Sequence, residues 1–167
     1  MTWVTGGLAD HHELDTFDCG VESMNQWLTN NARRANKQDT ARVYVWTERG
    51  QSKVLAYFAI TPTTVDRHED GISKSAAKLD RVPAFMIAKL AVDKSIQGQG
   101  AGMDLVFDAI TRIVGAAQLG GGRLIVVDAI DQATAGVYQR LDFIPVENTP
   151  NRLYMKVETA RVGLGIA

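Results

Sequence analysis

Cysteine, histidine and proline are scarce in this chain. Of 167 residues, one is cysteine (Cys19) and three are histidine (His11, His12 and His68). A single thiol excludes an internal disulfide. The usual four-ligand zinc spacings are missing, so no metal is expected. A lone thiol points to a reducing, cytoplasmic setting. Cys19 has no partner histidine in sight and reads as a small packing residue. Long apolar runs are also missing: none approaches about 18 residues, which leaves nothing to cross a membrane. The N-terminus lacks the basic stretch and apolar run of a signal peptide. Excess charge is absent as well, with a net charge of −1. Any nucleic-acid partner must therefore be met by a local basic patch.

What is present is an ordinary globular balance, 46% hydrophobic and 22% charged, without repeats or low-complexity blocks. The length suggests one domain, 1–167, able to bury about two thirds of its unfolded surface. Met24, Trp27, Leu28 and Ala32 recur at helical spacing over Val21–Lys37, and Arg33, Arg34 and Lys37 fill the last turn. Arg42–Thr47 and Val54–Thr61 read as a β-hairpin joined by a polar, glycine-containing turn, with Pro62 ending the second strand. Thr63–Ala84 is polar and reads as a long loop, with a short helix considered at Ser73–Leu79. Phe85–Val92 is an apolar strand interrupted by Lys89. A helix follows from Gly102 to Gln118, then a break at Gly120–Gly122. Leu124–Val127 is a buried strand, Asp131–Leu141 a helix and Arg152–Val157 a last strand. The tail from Thr159 to Ala167 is expected to fray. This order predicts an α/β fold with a mixed sheet, an antiparallel front half feeding a parallel strand–helix–strand unit.

The chemistry concentrates at Gln97-Gly98-Gln99-Gly100-Ala101-Gly102, between a strand and a helix. Glycines there let backbone N–H groups approach an anion, and the helix start adds unpaired donors and positive partial charge. Strand, glycine loop and helix start make a diphosphate site. A Walker loop is excluded because the segment ends Gly102-Met103-Asp104 and not Gly-Lys-Ser/Thr. A dinucleotide fingerprint is excluded by glycine spacing and by the lack of room for a doubly wound fold. A plain solvent loop remains the alternative from the glycines alone. Tyr138 is, on the same terms, either a packing tyrosine or a functional phenol.

Gln97-x-x-Gly100-x-Gly102 resembles the coenzyme A motif of the GCN5-related N-acetyltransferases. Leu90-Ala91-Val92-Asp93 resembles that family's central strand, and Val137-Tyr138-Gln139-Arg140-Leu141-Asp142-Phe143 its later helix and exit. Within the family, Phe17-x-Cys19-Gly20, Trp27-Leu28, Lys89–Asp93 and Val126–Ala129 are similar to the acetyltransferase toxins of bacterial toxin–antitoxin pairs. Three positions depart from the pattern: Met24-Asn25 stands where Leu-Asp is usual, and Lys89 where arginine is common.

The resemblance implies acetyl-CoA as cosubstrate, bound by the 97–102 loop and by Leu90, Ala91 and Val92. That central strand also offers a backbone N–H to the thioester carbonyl, and Tyr138 is implied as the acid for the departing thiolate. It implies aminoacyl-tRNA as substrate, a small DNA-binding antitoxin as partner, and a homodimer. Lys89, Arg33, Arg34 and Lys37 are the candidate tRNA contacts. Two other readings stay open: the same fold acetylating a small amine or a protein N-terminus, and a non-catalytic CoA-binding module. Activity indifferent to charged tRNA would select the first; CoA binding without transfer would select the second.

Overall fold

The computed structural model describes residues 3–72 and 75–166. Seven strands form one mixed sheet in the order β1-β2-β3-β4-β5-β7-β6. By contacts the chain divides into two compact units, Met1–Thr61 with Ala88–Ala109, and Pro62–Ile87 with Ile110–Ala167.

The first unit begins with β1 (Trp3–Gly7), which sequence reading left unassigned. It pairs antiparallel with β2 (Arg42–Glu48), and Trp3 stacks on Trp46 with ring centroids 5.5 Å apart. The expected helix Val21–Lys37 is two helices, α1 (Glu22–Asn30) and α2 (Ala32–Lys37). The break falls at Asn31, where φ is −124°. Paired asparagines weaken a helix because their side chains compete for backbone groups. The apolar stripe still does its work: Leu28 and Ala32 are fully buried in one cluster with Phe17, Val43, Tyr57 and Ala91, and Trp27 packs against it. Tyr57 stacks parallel to Trp27 and donates its hydroxyl to Met24 O at 2.8 Å, fixing α1 on the sheet.

The hairpin partner of β2 is β3 (Ala56–Asp66), which continues through Pro62. The expectation that proline ends this strand is corrected. The β2 register closes at Arg42↔Ile60, so Pro62 lies past the ladder in which its N–H would be missed. With β3 reaching Asp66, a one-turn helix α3 (Arg67–Asp70) and β4 starting at Arg81, the long loop expected over 63–84 shrinks. The helix considered at 73–79 begins on residues outside those described.

Strand β4 (Arg81–Val92) belongs to the second unit up to Ile87 and to the first from Ala88, and it pairs parallel with β5 (Leu124–Asp128) over Ala84–Ile87 only. Helix α4 (Ala101–Gly120) leads into β5, and α5 (Gln132–Arg140) leaves it. A two-residue β6 (Ile144–Pro145), too short to be read from sequence, pairs with β7 (Arg152–Lys156), which is antiparallel to β5. The tail expected to fray from Thr159 is helical through Gly163 as α6 (Val157–Gly163), with Val157 and Ala160 buried. Val65, Val82, Leu124, Val126 and Val146 make the second unit's core. None of the described helices is long and apolar enough to cross a membrane.

Candidate active site

In the first unit, β4 delivers its last residues to a tight construction. Asp93, only 6% exposed, caps the 3-10 turn Lys94–Ile96. Its carboxylate accepts from Ser95 N and Ser95 Oγ at 3.0 and 2.8 Å, and from Asp18 N at 2.9 Å. Burial works to raise its pKa, but these hydrogen bonds, with Lys53 nearby, outweigh it and hold the group below the ordinary carboxylate range. Sequence reading took Asp93 only as part of a motif; its signal was a carboxylate two residues before a serine at a strand exit, an N-cap pattern.

The glycine loop follows. Gln97 Nε2 donates to Val92 O at 2.8 Å and to Cys19 O at 2.9 Å, tying the loop to the strand end and to the turn before α1. Glutamine suits this position because its amide nitrogen carries two N–H donors, one for each carbonyl. Gly98 and Gly100 both have φ +79°, which a side chain would strain. Gly102 is different. It sits in the first turn of α4 with no positive φ, and a Cβ there would meet nothing within 4 Å. Glycine costs a helix about 1 kcal/mol against alanine, and no neighbour in the protein explains it. The space beside it is open, as it is beside Gly115 and Gly136 in other helical turns, but Gly102 alone of these stands in the turn that follows the glycine loop. Asp104 N makes the helix's first bond, to Gly100 O at 3.2 Å. The N–H groups of Ala101, Gly102 and Met103 precede it and have no acceptor within the helix. Ala101 is buried at 1% and anchors the turn, while Gln99 is exposed. These residues fit the diphosphate of coenzyme A: open backbone donors, a dipole's positive end, and no side chain in the way.

On β4 itself, Ala91 points into the core and Leu90 and Val92 are half-buried. The β4–β5 ladder stops at Ile87, so these three residues lie beyond it. Lys89 is half-buried with its ammonium 5.8 Å above the Trp27 ring, which answers how a lysine is tolerated in an apolar strand. The α2 cations divide. Arg33 donates to Ala9 O and His12 O at 3.0 and 2.7 Å and pins the N-terminal loop. Arg34 and Lys37 are exposed. The structure thus brings Lys89, Leu90–Val92 and Gln97–Gly102 onto one strand exit and sets Arg33 to a structural task.

In the second unit, Tyr138 lies on α5, 4% exposed, edge-on to Phe143 with centroids 5.3 Å apart. Burial alone pushes its phenol up to about 12, so it is a proton carrier at any physiological pH. Asp128, at the end of β5, takes two bonds from Arg152 at 2.7 and 2.9 Å. Arg152 also reaches buried Asp70 at 3.2 Å, and Thr149 Oγ1 donates to the same carboxylate at 2.6 Å. This network was invisible in the sequence because its members are up to 82 residues apart.

No family model matches the chain. The tRNA-acetylating toxin of Mycobacterium tuberculosis is 30% identical over 159 residues, covering 95% of this chain and 94% of that protein. The probable toxin TacT of Sinorhizobium fredii is 26% identical over 165 residues, covering 93% and 91%. Among solved structures, a Tyr-to-Phe variant of the toxin AtaT, bound to the C-terminus of the antitoxin AtaR and acetyl-CoA, superposes with a TM-score of 0.84 at 27% identity, covering 98% and 99%. With its mixed sheet, its glycine loop opening α4 and this likeness over nearly its whole length, the chain belongs to the GNAT-fold acetyltransferase toxins of toxin–antitoxin systems.

Proposed function

We propose that the whole chain is one acetyl-CoA-dependent N-acetyltransferase domain that acetylates the amino group of aminoacyl-tRNA and blocks translation. The observation that carries this reading is the glycine loop at the exit of β4, where Gly98 and Gly100 hold positive φ directly ahead of the first turn of α4. The names of the relatives, a tRNA-acetylating toxin and a toxin bound to acetyl-CoA, support the same substrates here.

Acetyl-CoA supplies an acetyl group activated as a thioester. Backbone N–H groups from Gln97 to Gly102 hold its diphosphate. Within Leu90–Val92, past the end of the β5 ladder, a backbone N–H on the side away from β3 faces the carbonyl oxygen as negative charge develops on it. A preorganised donor of this kind is worth roughly 3–4 kcal/mol. The substrate's α-amine, with a pKa of about 7.7–8.0, is substantially neutral near pH 7.5 and attacks without a strong base. The new C–N bond forms, the C–S bond breaks, Tyr138 gives its proton to the sulfur, and the amine's surplus proton passes to water. Lys89, Arg34 and Lys37 contact tRNA phosphates, and Arg33, already spanning two carbonyls, adds charge. The protein works in the cytoplasm as a homodimer and is held in check by a small DNA-binding antitoxin.

The test is acetyl transfer from labelled acetyl-CoA to a pool of charged tRNA. Label on the aminoacyl end is the expected result. Label only on free amines or peptide N-termini would overturn the tRNA reading and leave the acetyltransferase.

A further inference from the structure

A second hollow, of about 300 Å³, lies in the Pro62–Ile87/Ile110–Ala167 unit. It is lined by Pro83 at the start of β4, Gly122 and Arg123 before β5, Lys156 at the end of β7, and Glu158 and Arg161 on α6. Three cations thus face one acid in a protein whose net charge is −1. All three are half-buried. Among the described residues none of them has a carboxylate partner, although Asp128, Asp70 and Asp80 in the same unit are all paired with other cations. Arg123 is oriented by the bond from its Nε to Ser75 O at 2.7 Å. Like charges gathered at a half-buried hollow repel one another and gain nothing from the fold, so they suit an anion that arrives from outside.

The position selects the kind of anion. The hollow is at the beginning of β5, and none of its lining residues is on α5, the helix that follows the end of that strand and carries Tyr138. A small acetyl acceptor at Tyr138 therefore does not account for the hollow. A long polyanion can.

We infer that Arg123, Lys156 and Arg161 form a phosphate-binding hollow that takes the backbone of the tRNA body, away from its aminoacyl end. This rests on the tRNA reading proposed above.

The experiment compares two substrates, full-length charged tRNA and a short aminoacylated oligonucleotide carrying only the 3′ end. The variant is Lys156→Gln/Arg161→Gln, which leaves the Arg123–Ser75 bond intact. Arg161→Gln alone serves if the double variant does not fold. An unchanged melting temperature and unchanged acetyl-CoA affinity certify the protein. For full-length tRNA, KM rises roughly 10-fold with kcat constant, and the log–log salt dependence of binding flattens by about 1.5. For the oligonucleotide, nothing changes. Wild-type protein that labels both substrates, with a variant unchanged on both or weakened equally on both, overturns the hollow and leaves the proposed function standing. Wild-type protein that labels neither overturns both.

Discussion

Tyr138 and Gly102 make opposite kinds of demand on a single residue. The phenol must be present but need not be tuned: at about 12 it stays protonated throughout the working range. Tyr138→Phe should cut kcat by about 10²–10⁴-fold, the usual weight of a positioned acid. The pH–rate profile of the wild type should rise through the substrate amine near 7.7–8.0 and show no descending limb from this phenol below about pH 10. A limb near 8–9 that vanishes in Tyr138→Phe would contradict the burial argument. Gly102, by contrast, must be small. Gly102→Ala should stabilise the protein by up to about 1 kcal/mol, because alanine is the better helix former and meets nothing in the protein. Gly100→Ala, at φ +79°, should destabilise by about 1–2 kcal/mol. Chemical denaturation of the two variants distinguishes a glycine kept for conformation from one kept for space.

The elements that hold the site are capped and braced by charges. Asp93 accepts three hydrogen bonds at the exit of β4. Its folded pKa is depressed, so its contribution is complete above the unfolded value near 3.9 and is lost as pH falls through the folded one. Asp93→Asn should cost about 1–2 kcal/mol at pH 7, and the gap to wild type should hold down to about pH 5 and close only as pH falls below the unfolded value near 3.9 and through the lower folded one. Arg152 braces β7 against β5 by its bonds to Asp128, and its ion pair with Asp70 gives a 4% exposed carboxylate its counter-charge. Arg152→Met should cost about 3–5 kcal/mol, read by urea unfolding, because Asp70 would be left buried without a cation. Elements with long apolar periodicity or turn punctuation were legible in the sequence: Leu105, Ala109 and Ile113 mark α4, and alternation through Val43 and Val45 marks β2. The glycine loop was legible because its spacing is local. What was not legible depends on distant partners. β1 carries two glycines and is a strand only because β2 offers it a ladder, α6 is held by two small apolar contacts, and the Asp70–Arg152–Asp128 network joins three segments. That the Arg33 guanidinium bonds Ala9 and His12 was likewise not legible, because those carbonyls lie 24 and 21 residues away.

For the whole molecule, ligand binding and catalysis separate by mass action. A ligand that binds only folded protein stabilises it by about 2.7 kcal/mol at 100 times its Kd. For a chain of this size that is a rise of roughly 5–11 °C in Tm. Acetyl-CoA should produce that shift in wild type and, undiminished, in Tyr138→Phe, since a leaving-group acid contributes after binding. Gly102→Leu should melt on its own at or near the wild-type temperature, because leucine suits a helix and its Cβ meets no neighbour within 4 Å, yet acetyl-CoA should no longer shift it. A shift kept by Gly102→Leu would mean that the room beside Gly102 is not where the diphosphate lies. A shift lost in Tyr138→Phe would make the phenol part of the binding surface and move the search for the proton donor elsewhere. The two variants therefore assign the two ends of the cosubstrate, diphosphate and thioester, without any turnover being measured.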